Sequence, residues 1–163
     1  MTPKFERVFT LRAYLDLENF LQIGPVKSGP HRAFVHATSG FLEGSGVKAE
    51  VVPGGGDWLL LDPSSNVGHL DVRVQFKTDD GEGIYAHYDG VLRMDEATQK
   101  ILNRSEDAKD TEYGDHYFFT TPIFETSSER LKWMNSTVFV GQGRWMMDKD
   151  GYAVEYGIYK VEN

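Results

Sequence analysis

Asp71-Val72-Arg73 sets a carboxylate and a guanidinium two residues apart, on one face of an extended chain and about 7 Å from each other. Facing a cavity, Arg73 would stabilise an oxyanion or enolate while Asp71 orients it or takes a proton. Facing water, Asp71, Arg73, Gln75 and Lys77 are an ordinary solvated face, and spacing alone favours that reading. Glu125, in Phe124-Glu125-Thr126 just after Thr121-Pro122, is a second possible base: desolvation beside an aromatic wall would raise its pKa toward neutrality. Pairing with Arg73 or capping the loop would serve it equally well. On the next strand Tyr85, His87 and Asp89 share one face, and Ala86, Tyr88 and Gly90 the other. Either face could offer a phenol to a cavity, although tyrosine as readily bridges core and water. In Trp133-Met134-Asn135 the indole belongs to an apolar face and the amide could position a ligand oxygen.

Other chemistries find little support. There is no cysteine, which removes disulfides, thiolate nucleophiles and Cys-based metal sites. The five histidines form no His-x-His or His-Glu-x-x-His spacing, and His31 and His36 would point to opposite faces of a strand, so no metal is expected. No Gly-x-Ser-x-Gly elbow occurs, and the serines lie in loop-like sequence. Pro53-Gly54-Gly55-Gly56-Asp57-Trp58 opens a strand rather than a helix and lacks the following Lys-Ser/Thr of a phosphate loop. Its glycines instead permit a turn, with Asp57 capping it or, together with Trp58, rimming a pocket. A formal charge of −8 argues against nucleic acid and against anionic membrane surfaces as partners.

The elements that must hold these groups are strands. His69 to Thr78 alternates Leu70, Val72, Val74 and Phe76 with Asp71, Arg73, Gln75 and Lys77. Phe5 to Tyr14 alternates likewise, with Phe5, Arg7, Phe9, Leu11 and Ala13 on one face. Further strands are expected at 32–36, 47–52, 58–61, 83–91, 116–121, 137–141 and 152–161, separated by Gly- and Pro-containing turns such as Asp79-Asp80-Gly81. Two stretches read as helical, a short turn at Asp16 to Ile23 and Met94 to Asn103, and the charged run Asn103 to Asp115 reads as a long exposed loop. No repeat or composition break divides residues 1–163, so a single β-barrel or sandwich domain is expected. The N-terminal segment, interrupted by Lys4, Glu6, Arg7 and Arg12, has no signal-peptide block, and an intracellular, cytoplasmic address is the default expectation.

Across nearly its whole length the chain resembles the domain-of-unknown-function family 3237. The residues that carry the resemblance include Gly29-Pro30 with Arg32, Gly40-Phe41-Leu42-Glu43-Gly44, Pro53-Gly54-Gly55-Gly56-Asp57-Trp58, Leu70-Asp71-Val72-Arg73, Pro122-Ile123-Phe124-Glu125-Thr126 and Trp133-Met134-Asn135. The resemblance implies an all-β fold, a closed antiparallel β-barrel of about eight strands with one or two short helices, similar in build to allene oxide cyclase and dirigent-type barrels. It also turns Asp71 and Arg73 toward the lumen. Gly29-Pro30-His31-Arg32, where the family would write Gly-x-Arg, and the lengthened loop 103–115 depart from the pattern and would reshape a pocket mouth.

The expected function is that of a cofactor-independent isomerase, cyclase or lyase acting on a small enolisable aromatic or polyketide-like molecule, as in secondary metabolism. Arg73 would bind the developing oxyanion, Asp71 or Glu125 would be the base, and Tyr85, Tyr88 or Tyr117 the proton donor. Arg32, Asp57, Trp58, Phe124, Trp133 and Asn135 would contact substrate. The alternatives are a non-catalytic carrier of a hydrophobic small molecule and a homo-oligomeric assembly module that covers an apolar exterior.

Overall fold

In the stretch Val67–Thr78 the apolar residues Leu70, Val72, Val74 and Phe76 are buried, and the polar residues between them are half-buried or exposed. That period of two is what a strand with one dry face requires, and it recurs around the molecule. A computed structural model describes residues 2–163. It contains β1 (Lys4–Leu15), β2 (Leu21–Val26), β3 (Gly29–Gly44), β4 (Val47–Asp57), β5 (Leu60–Asp62), β6 (Val67–Thr78), β7 (Gly83–Arg93), α1 (Glu96–Leu102), β8 (Phe118–Glu125), a 3-10 turn (Lys132–Ser136), β9 (Phe139–Asp148) and β10 (Gly151–Glu162).

The pairings β1-β10-β9-β8-β7-β6-β4-β3 are all antiparallel, and β3 pairs back onto β1, so eight strands close a barrel. The closing seam needs Gly40: at φ 139° a Cβ there would stand 2.0 Å from the Arg12 carbonyl oxygen. β2 hydrogen-bonds to β3 outside the ring, and β5 bridges β3 and β6. Asp16 to Ile23 is not helical. It passes through a turn, Asp16 accepting from the Asn19 backbone N–H, and then extends into β2. A shift of register between Arg7 and Phe9 buries both Val8 and Phe9, so Phe5 does not share the inner face of Phe9 and is 59% exposed.

The two ends of the barrel are closed differently. At one end Phe9, Phe124 and Phe139 interlock with Trp133, centroids 5.2–6.1 Å apart, forming an aromatic plug. At the other end α1 lies across the opening. Asp95 caps it by accepting from the Thr98 N–H at 2.9 Å, Ile101 is buried, and the Trp145 indole donates to Thr98 Oγ1 at 3.1 Å. Asp95 is also hydrogen-bonded to the buried His116. The loop that follows is fastened rather than free, because Tyr113 donates to the buried Glu155 at 3.0 Å and Thr111 hydrogen-bonds with Trp145. Among the described residues, no helix is long and apolar enough to cross a membrane.

Candidate active site

The lumen beneath α1 is lined by Val35, Ala37, Leu59, Leu70, Val72, Val74, Leu102, Phe118, Trp145 and Val154, and among the described residues three titratable side chains project into this apolar wall, Asp57, Tyr88 and Tyr156. The glycines before Asp57 put it there. A Cβ on Gly55 would stand 2.3 Å from the Arg73 carbonyl oxygen, and one on Gly56 2.3 Å from that of Val35, so only glycine lets β4 pass between β6 and β3 with its extra residues. The two extra residues keep the alternation in phase with Val47, Ala49 and Val51, so Asp57 points inward and Trp58 outward. Asp57 therefore does not cap the glycine turn; its Oδ1 accepts the Asp71 backbone N–H at 3.0 Å.

Asp57 keeps partial solvent access at the mouth, but its carboxyl group is desolvated among the lumen walls. Burial pushes that carboxyl up to about 7, and the Asp71 carboxylate adds to the rise, while the Asp71 N–H and the Arg32 guanidinium pull against it. Tyr88 and Tyr156, each 2% exposed, meet edge to face with centroids 5.5 Å apart. Burial drives both phenols well above their usual range, with the Asp57 charge acting in the same direction, so each stays a hydrogen-bond donor at any ordinary pH. The free volume in this part of the barrel is about 40 Å³, room for water but not for a ring molecule until the cap shifts.

Most of the candidate residues stand elsewhere. Asp71 and Arg73 form an ion pair at 2.8 Å on the outer wall, their side chains 37% and 45% exposed, which corrects the expectation that they face the lumen. The apolar set of β6 fills the interior, and the same period of two puts the ionic set outside. Glu125 is exposed and stands across from Tyr85 on the outer face, because its neighbour Phe124 takes the inward position. Tyr117 is 47% exposed with Arg93 over its ring at 4.4 Å. Of the phenols named from sequence, only Tyr88 reaches the lumen.

Trp58 lies outside, between Phe34 at 5.0 Å and Arg73 at 5.6 Å, and Arg32 is engaged with the Trp58 carbonyl and the Ser28 hydroxyl. Phe124 and Trp133 belong to the plug at the far end, away from Asp57. Asn135 spends both ends of its amide on the Thr126 backbone, donating at 2.9 Å and accepting at 2.9 Å, so it finishes the edge of β8 instead of holding a ligand. Sequence reasoning does not single out Tyr156. A signal is present, since Val154, Tyr156 and Ile158 alternate along β10, but nothing local says that this face meets Asp57. Nor does the sequence show an outer cluster in which Asp71, His87 and Asp89 bring three possible metal donors within 4.8 Å of one another. It arises from the pairing of β6 with β7 and has no linear motif.

The model of the family described as "Protein of unknown function (DUF3237)" matches residues 3–161. The chain belongs to this family. A DUF3237 relative from Rhodopseudomonas palustris, a UPF0311 protein, is 26% identical over 91% of this chain and 94% of its own length. The crystal structure of the R. palustris protein, of unknown function, superposes with a TM-score of 0.79 at 27% identity, covering 99% of this chain and all of that one. A protein from Acinetobacter baumannii described as β-barrel like gives 0.74 at 27% identity, covering 99% and 98%. Two fungal proteins are more distant. PR-toxin biosynthesis cluster protein 7 of Penicillium roqueforti is 27% identical over 66% of this chain and 58% of its own length. A structure described as an enzyme from Penicillium herquei shares the DUF3237 fold, with a TM-score of 0.58 at 17% identity over 99% of this chain and 96% of that one.

Proposed function

We propose that the lumen beneath α1 is the active site of an isomerase, cyclase or lyase that moves protons on a small, enolisable, aromatic or polyketide-like molecule. The observation that carries this reading is a carboxyl group directed into an apolar enclosure where the other titratable groups are two protonated phenols. As carboxylate, Asp57 would take the proton next to a substrate carbonyl. A hydroxyl of Tyr88 or Tyr156 would donate to the carbonyl oxygen as it gains enolate character, and the Asp57 proton would return at another atom. Dry walls favour such work, because charge developing on the substrate is met by fixed donors and not by water that must reorient. The relation to a fungal protein named for a toxin biosynthesis cluster supports a small-molecule substrate. Since the resting cavity is far below the roughly 300 Å³ of a ligand pocket, α1 must move aside to admit one.

The test is proton exchange on a panel of enolisable aromatic ketones and polyketide-like compounds in D2O, followed by NMR and chiral chromatography. Native protein should exchange or isomerise at least one panel member. Asp57→Asn should lower that rate by roughly 10²–10⁴, and Tyr88→Phe combined with Tyr156→Phe, which strips the enolate oxygen of both hydroxyl donors, should lower it by roughly 10²–10³. A compound that binds saturably and returns with its protons and stereochemistry intact would assign the lumen to carriage and defeat the enzymatic reading.

A further inference from the structure

On the outer wall, the β6–β7 register sets Asp71 directly opposite Asp89 and Arg73 directly opposite His87. Two carboxylates facing each other across neighbouring strands repel, in a chain already carrying a charge of −8. His87 stands between them. Its Nε2 is 3.3 Å from Asp71 Oδ1 and 3.9 Å from Asp89 Oδ1. Donors about 2.0–2.1 Å from a tetrahedral ion stand roughly 3.3–3.4 Å from each other, so one of these separations already fits and the other needs only a side-chain rotation. Arg73 Nη1 donates to this same Asp71 Oδ1 at 2.8 Å through a single nitrogen, so an ion would share that oxygen with the guanidinium or take Asp71 Oδ2 after rotation of the carboxylate. β7 is hydrogen-bonded on both sides, to β6 and to β8, which fixes the backbone under His87 and Asp89. Beside them a concavity of about 420 Å³, bounded by Thr121, Ile123 and Val138, leaves space at further coordination positions.

We infer that Asp71, His87 and Asp89 bind one divalent first-row transition cation such as zinc, with three protein ligands and a position left open toward that concavity. An imidazole with two carboxylates suits such an ion. Calcium and magnesium prefer all-oxygen donor sets, and the imidazole nitrogen here favours the transition ion. The site lies on the outer side of the barrel wall, with Asp71 touching both sides: its side chain belongs to the outer cluster and its backbone N–H is held by Asp57.

The experiment uses untagged full-length protein stripped with a chelator, titrated with Zn²⁺ against a chromophoric chelator and with Co²⁺ for its visible absorption. One equivalent should bind saturably, and His87→Gln and Asp89→Asn should each weaken binding by at least tenfold. His69→Gln, an exposed imidazole further along β6, should leave it unchanged. Asp89, with a side chain 75% exposed, tolerates substitution without loss of fold. A readout free of variants comes from imidazole NMR of the native chain, where stoichiometric Zn²⁺ should shift His87 before the other four histidines. Absence of saturable uptake, affinity retained in either ligand variant, or first shifts at another histidine would each overturn the proposal.

Discussion

The Asp57 carboxyl loses hydration on entering the lumen, and one backbone N–H with a nearby guanidinium returns only part of it. A carboxyl at about 7 in the folded chain and near 3.8 in the unfolded one binds its proton more tightly when folded. Stability from this group is therefore fully present below about pH 4, falls as pH rises toward 7, and is level above that. At about 1.4 kcal/mol per pKa unit the loss is on the order of 4 kcal/mol at most. Asp57→Asn keeps the acceptor for the Asp71 N–H and removes the charge. It should be more stable than the native chain at pH 8, with the gap closing by pH 4, as read from urea midpoints in the presence of chelator. Arg73→Ala separates the outer wall from the inner one, and proton-exchange turnover should stay within about twofold of native. Asp57 was legible in the sequence as a pocket rim but not as the acid, because its desolvating neighbours come from β6, β7 and β10 and only closure of the barrel brings them together.

At the scale of elements, α1 is a seven-residue helix, too short to persist without its attachments. Asp95 supplies two of them, capping the Thr98 N–H and bonding His116, whose other ring nitrogen is buried without a partner. Asp95→Ala would remove the cap, worth about 1 kcal/mol, and leave a 2%-exposed imidazole side chain with no partner, costing about 1–3 kcal/mol more. The expected result is a lower urea midpoint and fast amide exchange concentrated in residues 96–102, with β6 and β7 still protected. The helix itself was legible from Asp95, Glu96 and the apolar spacing of Ile101 and Leu102. So was β6, whose alternation is uninterrupted. The sequence misleads where pairing overrides period: the bulge after Arg7, and the segment from Asp16 to Ile23, whose end is drawn into an extended strand by the edge of β3. For β6 the alternation defined two faces and could not say which was inside. Burial of four large apolar side chains decides it, since placing Asp71 and Arg73 inward would desolvate both charges and wet Leu70, Val72, Val74 and Phe76.

Taken whole, the barrel separates its aromatic plug from its buried titratable groups along its axis. The aromatic plug contains no titratable group, and its rings are fully buried at Phe9, Phe124 and Phe139, each 1–2% exposed. The α1 end holds the carboxyl, the phenols and the free volume beneath the helix. Substitutions at the two ends should therefore have opposite signatures. Phe124→Ala opens a void where neighbouring rings cannot collapse, and about 3–5 kcal/mol should be lost, with KM for any lumen substrate unchanged in whatever protein remains folded. Leu102→Ala, at a half-buried position of α1, should cost less stability but widen the cavity beneath the cap. Its effect should fall on KM and on the rate of ligand entry. Distant sites without shared partners add within about 0.5 kcal/mol, so the double variant should show the sum of both stability losses and the kinetics of Leu102→Ala alone. Denaturant titration together with steady-state kinetics on the four proteins reads both quantities. A large change in KM from Phe124→Ala would place the working end at the aromatic plug and remove Asp57 from the chemistry.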